Sequence, residues 1–138
     1  MAPLALKQTT DLPLRRDEIP AIYGTVFNNA TWNAGYVPID SDNVILFVTE
    51  SDYVYGEQGM GHDGSFLWCS QNSTTPESKR GKDLQRGIYL HVWTRPSKRA
   101  NGGRFKFQGV YTVASFTQET RTVSQKAYHP MLCKLERI

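Results

Sequence analysis

From residue 43 onward the chain is written as short apolar runs separated by turn residues. Asn43-Val-Ile-Leu-Phe-Val-Thr49 has the length and the β-branched content of a buried strand, and Ser65-Phe-Leu-Trp-Cys-Ser70 is a second such run. Between Gly87 and Thr94 the pattern alternates, with Ile88, Leu90 and Val92 on one face and Tyr89, His91 and Trp93 on the other, so both faces are expected to be covered. Arg104 to Phe116 alternates again: Phe105, Phe107, Tyr111 and Val113 share a face, with Gly109 between them. Pro96 and Asn101-Gly-Gly103 mark the connection before it, which predicts a β-hairpin with a basic tip. Further strands are expected around Thr122 to Ala127 and Met131 to Leu135.

The N-terminal part reads differently. Residues 1–14 carry Pro3 and Pro13 without sustained periodicity and are expected to form a flexible lead-in, followed by one domain over 15–138. Asp17 and Glu18 suit the start of a short helix of about two turns, closed by Gly24, with Pro20 tolerated in its first turn. Several short strands, turn signals and one small helix predict a mainly β (α+β) fold, a compact barrel-like sheet of about six strands that leaves no exposed edge.

Composition adds limits. With 138 residues and an aromatic content of 12%, the chain can bury a core without staples. No apolar run is long enough for a membrane helix, and Met1 to Lys7 is too short for a secretory signal. A membrane-free, cytoplasmic protein is expected, nucleoid-associated if bacterial. Cys69 and Cys133 are expected as free thiols.

Charge changes the picture more. Asp40, Asp42, Glu50, Asp52, Glu57 and Asp63 lie in a stretch without Lys or Arg. Between Pro76 and Lys106, nine bases face only Glu77 and Asp83. Segregation of this kind suits a phosphate-binding surface, with Lys79, Arg80, Lys82, Arg95, Lys98, Arg99 and Arg104 as the candidate contacts.

The densest polar constellation is Trp68-Cys-Ser-Gln-Asn-Ser-Thr-Thr-Pro76, which leads into Lys79 and Arg80. Amides match a nucleobase edge and an indole offers a face for stacking. Asn28-Asn29-Ala-Thr-Trp-Asn-Ala-Gly-Tyr36 repeats the combination. Trp32, Tyr36 and Trp68 are thus candidates to sandwich a base, and Gln71, Asn72, Asn29, Asp63 and Ser70 to bond its edge.

No Walker loop, His-Glu-x-x-His, nucleophile elbow or zinc-spaced Cys pair is present, so no catalytic residue, metal site or cofactor is expected. His62-Asp63 is the only His beside a carboxylate. A protein-interaction module, an RNA-binding barrel and, more distantly, a hydrolase working through His62 and Asp63 are alternatives on these residues.

The series Arg15-Arg-Asp-Glu-Ile19, Trp32, Gly35-Tyr36, Leu46-Phe-Val-Thr49, Phe66-Leu-Trp-Cys-Ser-Gln-Asn-Ser-Thr74, Gly81, Val92-Trp-Thr-Arg95 and Phe105-Lys-Phe-Gln-Gly-Val-Tyr111 resembles a domain found at the C-terminus of bacterial superfamily II helicases. Modification-dependent (type IV) restriction enzymes carry it too. The most specific piece is Trp68 to Thr74. The resemblance implies a PUA- or SRA-like fold and a reader of 5-substituted cytosine, methylated or hydroxymethylated. Its partner would be double-stranded DNA carrying the modified base, which is flipped into an aromatic and amide pocket in the service of restriction and defence. The chain shows no helicase or nuclease motif, so it is expected to be a stand-alone reader or the recognition part of a longer protein. Cleavage would then reside in a nuclease or helicase module.

Overall fold

The computed structural model describes residues 12–50, 59–60, 65–70, 74–118, 120–123, 125–128 and 131–138. The expected lead-in falls mostly outside them, and its last residue, Leu14, is tied to Phe105 by two backbone hydrogen bonds of 2.9 and 2.7 Å. The chain packs as two compact units, 1–51 with 89–110 and 52–88 with 111–138.

The first unit is built on three strands, β1 (Tyr36–Pro38), β2 (Asn43–Thr49) and β5 (Tyr89–Arg95), and on the start of β6 (Lys106–Gln118). The order is β1-β2-β5-β6. β1 pairs antiparallel with β2, whereas β2 and β5 run parallel over seven residue pairs, from Asn43↔Tyr89 to Thr49↔Arg95. A parallel pair needs a crossover, and here the whole of 50–88 intervenes. One core cluster gathers Ile19, Ile22, Trp32, Val37, Ile45, Phe47, Trp93 and Phe105.

Ahead of the strands, the expected helix is two 3-10 turns, Arg16–Glu18 and Pro20–Tyr23, closed by Gly24 at φ 74°. Pro20 has no N–H to bond the carbonyl of Arg16, so an α-helix cannot run through it. A one-turn helix, α1 (Asn29–Trp32), occupies what reads as a loop, with the Asn28 side chain accepting from the Ala30 N–H at 2.8 Å.

A chain of hydrogen bonds threads this unit. The Trp93 Nε1–H donates to Tyr23 Oη at 3.1 Å, and Tyr23 Oη lies 3.3 Å from His91 Nδ1. His91 Nε2 lies 3.1 Å from Asn43 Oδ1, and the Asn43 amide donates to the Asp40 carboxylate at 3.1 Å. With Tyr23 donating to Nδ1, the imidazole proton sits on Nε2 and every group in the chain is satisfied. Burial pushes His91 down to about 4, with Asp40 opposing the shift, so the ring is neutral. Burial works against the Asp40 carboxylate as well, but donation from Asp42 and Asn43 outweighs it and holds the group below its ordinary value.

The second unit holds β3 (Gly59–Met60), β4 (Phe66–Cys69), α2 (Lys79–Gln85), the rest of β6, β7 (Arg121–Val123), β8 (Lys126–Tyr128) and β9 (Met131–Arg137). The order β6-β9-β4-β3 is antiparallel throughout, with a bulge between Val113 and Ser115 on β6. Helix α2 is absent from the sequence reading because Gly81 interrupts its pattern. A Cβ at Gly81 would lie 1.7 Å from the carbonyl oxygen of Thr75, so the residue must be Gly for the helix to approach that turn. Ser78 caps the helix, its Oγ accepting from the Gly81 N–H at 3.1 Å.

The mainly β class holds, but the barrel does not. Among the described residues β1 pairs only with β2 and β3 only with β4, so neither set of strands closes on itself. Pro38, which lacks a donor, ends the β1 edge. No helix among the described residues is long and apolar enough to cross a membrane.

Two predictions arise here. Gly81→Ala, a change that stabilises an ordinary exposed helix, should instead cost about 2 kcal/mol or more through overpacking, measured as a lowered urea midpoint. For His91 the folded pKa lies below the unfolded one. Its contribution to stability is therefore complete above pH about 6.5 and lost as the pH falls towards about 4. The difference in unfolding free energy between wild type and His91→Gln should shrink by roughly 3 kcal/mol across that window.

Candidate nucleic-acid interface

The three aromatic rings expected to sandwich a base are packed inside their units. Trp32 is 4% exposed and lies edge-on to Phe47, with ring centroids 6.2 Å apart. Tyr36 is 5% exposed on β1, opposite Leu46, and Trp68 is 6% exposed on β4, opposite Cys133. In this arrangement the indoles serve packing. Arg16 reinforces the first of them: its Nη1 donates to the carbonyls of Trp32 and Ala34 at 3.0 and 2.9 Å, and its guanidinium lies 4.4 Å from the Phe47 ring centroid.

Among the polar candidates, Ser70 is buried and structural. Its Oγ accepts from the Met131 N–H at 2.8 Å, and its own N–H donates to the Met131 carbonyl at 2.9 Å. Asn29 is exposed, and its Oδ1 accepts from the Asn33 amide at 2.6 Å. Gln71, Asn72, His62 and Asp63 lie outside the described residues. What the structure does describe is both flanks of the Gln71-Asn72 run. Ser70 is bolted to Met131 on one side. On the other, Thr74 is buried, and Thr75 and Ser78 bond reciprocally: the Thr75 N–H donates to Ser78 Oγ at 3.1 Å and the Ser78 N–H to Thr75 Oγ1 at 3.2 Å.

Helix α2 follows at once and carries three candidate cations. Lys79 and Lys82 are exposed and Arg80 is half-buried. Lys79 Nζ pairs with Asp83 at 3.0 Å, and that hydrogen bond is the main reason the Asp83 carboxyl stays below its ordinary pKa. An exposed pair of this kind is worth little and leaves Lys79 available for exchange.

In the first unit, Arg95 departs from its expected role. Its Nε donates to Thr49 Oγ1 at 2.8 Å and its Nη1 to the Gly103 carbonyl at 3.1 Å, while the guanidinium stacks 4.4 Å from the Phe105 ring centroid. It closes the β5–β6 connection from inside and is not placed as a phosphate ligand. That connection turns through Ala100–Gly103, with Gly102 and Gly103 at φ 66° and 77°. Lys98, Arg99 and Arg104 are all exposed on or beside it, as is Lys106 at the start of β6. The basic hairpin tip read from the sequence is therefore present.

One surface feature of the first unit escaped the sequence reading. No charged residue lies between Gly24 and Ile39, and within that stretch Val26 is 79% and Phe27 37% exposed, next to the exposed Asn28 and Asn29. The signal available was an apolar pair outside any strand pattern, immediately before an amide pair.

No family model and no curated protein matches the chain. Its fold is similar to those of solved restriction proteins. The DNA recognition domain of the cytosine modification-dependent restriction endonuclease LpnPI superimposes with a TM-score of 0.56 at 9% identity, over 76% of this chain and 60% of that one. The DNA modification-dependent restriction endonuclease AspBHI gives 0.52 at 12% identity over 70% and 31%. The type IV phosphorothioation-dependent restriction endonuclease ScoMcrA gives 0.64 at 12% identity over 96% and 27%. The chain thus spans 60% of the LpnPI domain and less than a third of the other two. At these identities what is shared is the fold: this chain has the architecture found in proteins of modification-dependent restriction.

Proposed function

We propose that the chain is a recognition module for duplex DNA carrying a 5-substituted cytosine, and that any cleavage is supplied by a nuclease or helicase module acting with it. The observation that carries this reading is the fold shared with the LpnPI recognition domain over 76% of the chain. The run Trp68 to Thr74 and the exposed cations that follow it support the same reading.

In this proposal the two units contribute separately. In the second, Gln71 and Asn72 bond the edge of an extruded base, between flanks that Met131 and the Thr75–Ser78 turn hold in place. Lys79, Arg80 and Lys82 take phosphates. In the first, Lys98, Arg99 and Arg104 take phosphates as well. Extrusion costs a few kcal/mol, which the base-edge hydrogen bonds and the phosphate contacts have to offset.

The test is a binding screen of one duplex carrying cytosine, 5-methyl-, hydroxymethyl-, formyl- or carboxylcytosine, N6-methyladenine, or a phosphorothioate linkage at one step. The last arm is included because ScoMcrA, whose match covers 96% of this chain, is phosphorothioation-dependent. A 5-substituted cytosine should bind at least about tenfold tighter than plain cytosine, and Asn72→Ala should remove most of that preference by leaving the base edge unmatched. Equal affinity for every duplex would refute the reading. Arg99→Ala combined with Arg104→Ala should weaken modified and plain duplexes by similar factors, whereas loss confined to the modified duplex would assign the tip to the base instead.

A further inference from the structure

β7 and β8 form a sheet of their own, yet their register belongs to a longer hairpin. β6 and β9 pair down to Gln118↔Met131, and β7 and β8 resume with Arg121↔Tyr128. Gln118 to Arg121 is three residues on one strand, and Tyr128 to Met131 is three on the other, so the two ladders share one register. In the sequence Pro130, which has no N–H to give to a ladder, lies between Tyr128 and Met131. The two-stranded piece thus keeps the register of the β6–β9 ladder.

A two-stranded ribbon alone is marginally stable in water, and this one pairs with no other strand among the described residues. Its composition suits a polyanion: from Thr120 to Leu135 there is no acid, while Arg121 and Lys126 stand in the ribbon itself. Its open face is made of small and polar groups. Thr122 and Ala127 are paired and both exposed, and Gln125 is exposed at the turn with φ 65°.

We propose that this ribbon is a groove-reading arm that enters the major groove beside the modified base and sets the flanking-sequence preference of the chain. The inference rests on the DNA reading proposed above. The major groove is about 12 Å wide and about 8.5 Å deep and admits a two-stranded ribbon. Three-residue strands span about 10 Å, which matches that depth. The side chains on the open face are those that read base edges there. A Gln amide pairs with adenine, a Thr hydroxyl with several bases, and Ala and Thr methyls pack on the 5-methyl of thymine.

The experiment selects duplexes with random flanks around one central 5-methylcytosine, using the full chain and then its Gln125→Gly, Thr122→Val double variant. Gly suits the positive φ at position 125 and Val suits a strand, so the ribbon keeps its backbone. The wild-type chain should select bases at a few positions on one side of the methylcytosine, and the double variant should flatten that preference about tenfold. The ratio of methylated to plain duplex should stay within about twofold, because base-edge and modification contacts are separate. Unchanged flanking preference in the variant, or no preference in the wild type, overturns the arm while leaving the reader intact. A wild-type chain that captures no duplex overturns the DNA reading itself and the arm with it. Independently of how the variant folds, a benzophenone side chain placed at Ala127 should crosslink to bases of the captured duplex; crosslinks absent or confined to protein would contradict the proposal.

Discussion

Seven residues of β2 run parallel to seven of β5, and the first unit is arranged about that ladder. Bringing them together closes a loop that contains all of 50–88, an entropic cost that the flanking contacts have to offset. They do so along one face. There Trp93 reaches Tyr23, and His91 and Asn43, from neighbouring strands, link Tyr23 to Asp40. Further along the same face, Arg95 at the end of β5 bonds Thr49 at the end of β2, and the Arg95 and Arg16 guanidiniums both lie over the Phe105 ring. Burial, and after it repulsion from Arg95, draws Arg16 down to about 10, which still leaves it charged.

This frame sorts the chain's chemistry. Several aromatic rings and two arginines are consumed in holding strands together, whereas Lys79, Lys82, Lys98, Arg99 and Arg104 are left exposed. Such a division is what a reader of a polyanion needs. Phosphate contacts position the protein without sequence information, and a small number of polar groups discriminate. The cations must be exposed to meet phosphates, whereas the groups that discriminate must be held rigidly by neighbours that do not themselves bind. In the proposed reader, Ser70, bonded twice to Met131, and the Thr75–Ser78 turn are the supports that precede and follow Gln71 and Asn72 in the chain.

Much of the frame was legible in sequence because its strands are strongly patterned. β2, β4, β5 and β6 follow the runs at 43–49, 65–70, 87–94 and 104–116, and Gly24 and the Gly102-Gly103 turn stand where positive φ was needed. Three kinds of information were not local. Parallel pairing of β2 with β5 leaves no trace in either strand. The helix at Lys79–Gln85 hides behind a Gly whose reason is a carbonyl several residues away. Above all, the burial of Trp32, Tyr36 and Trp68 depends on which strands come together, and an indole beside amides looks the same in a loop whether it packs or binds. Arg95 misled in the same way: its charge reads as surface, and its partners, Thr49 and Gly103, are set by the fold.

If the cations bind phosphates and the amides discriminate the base, these two contributions must separate under salt. The most direct measurement is the affinity of the full chain for one duplex with a single 5-methylcytosine and for its unmodified twin, across a range of salt concentrations. Logarithmic plots should give two steep, parallel lines, because counterion release depends on the phosphates alone, with a constant offset of about tenfold or more in favour of the modified duplex. A slope near zero would remove the phosphate-binding surface from the account, and coincident lines would remove the reader.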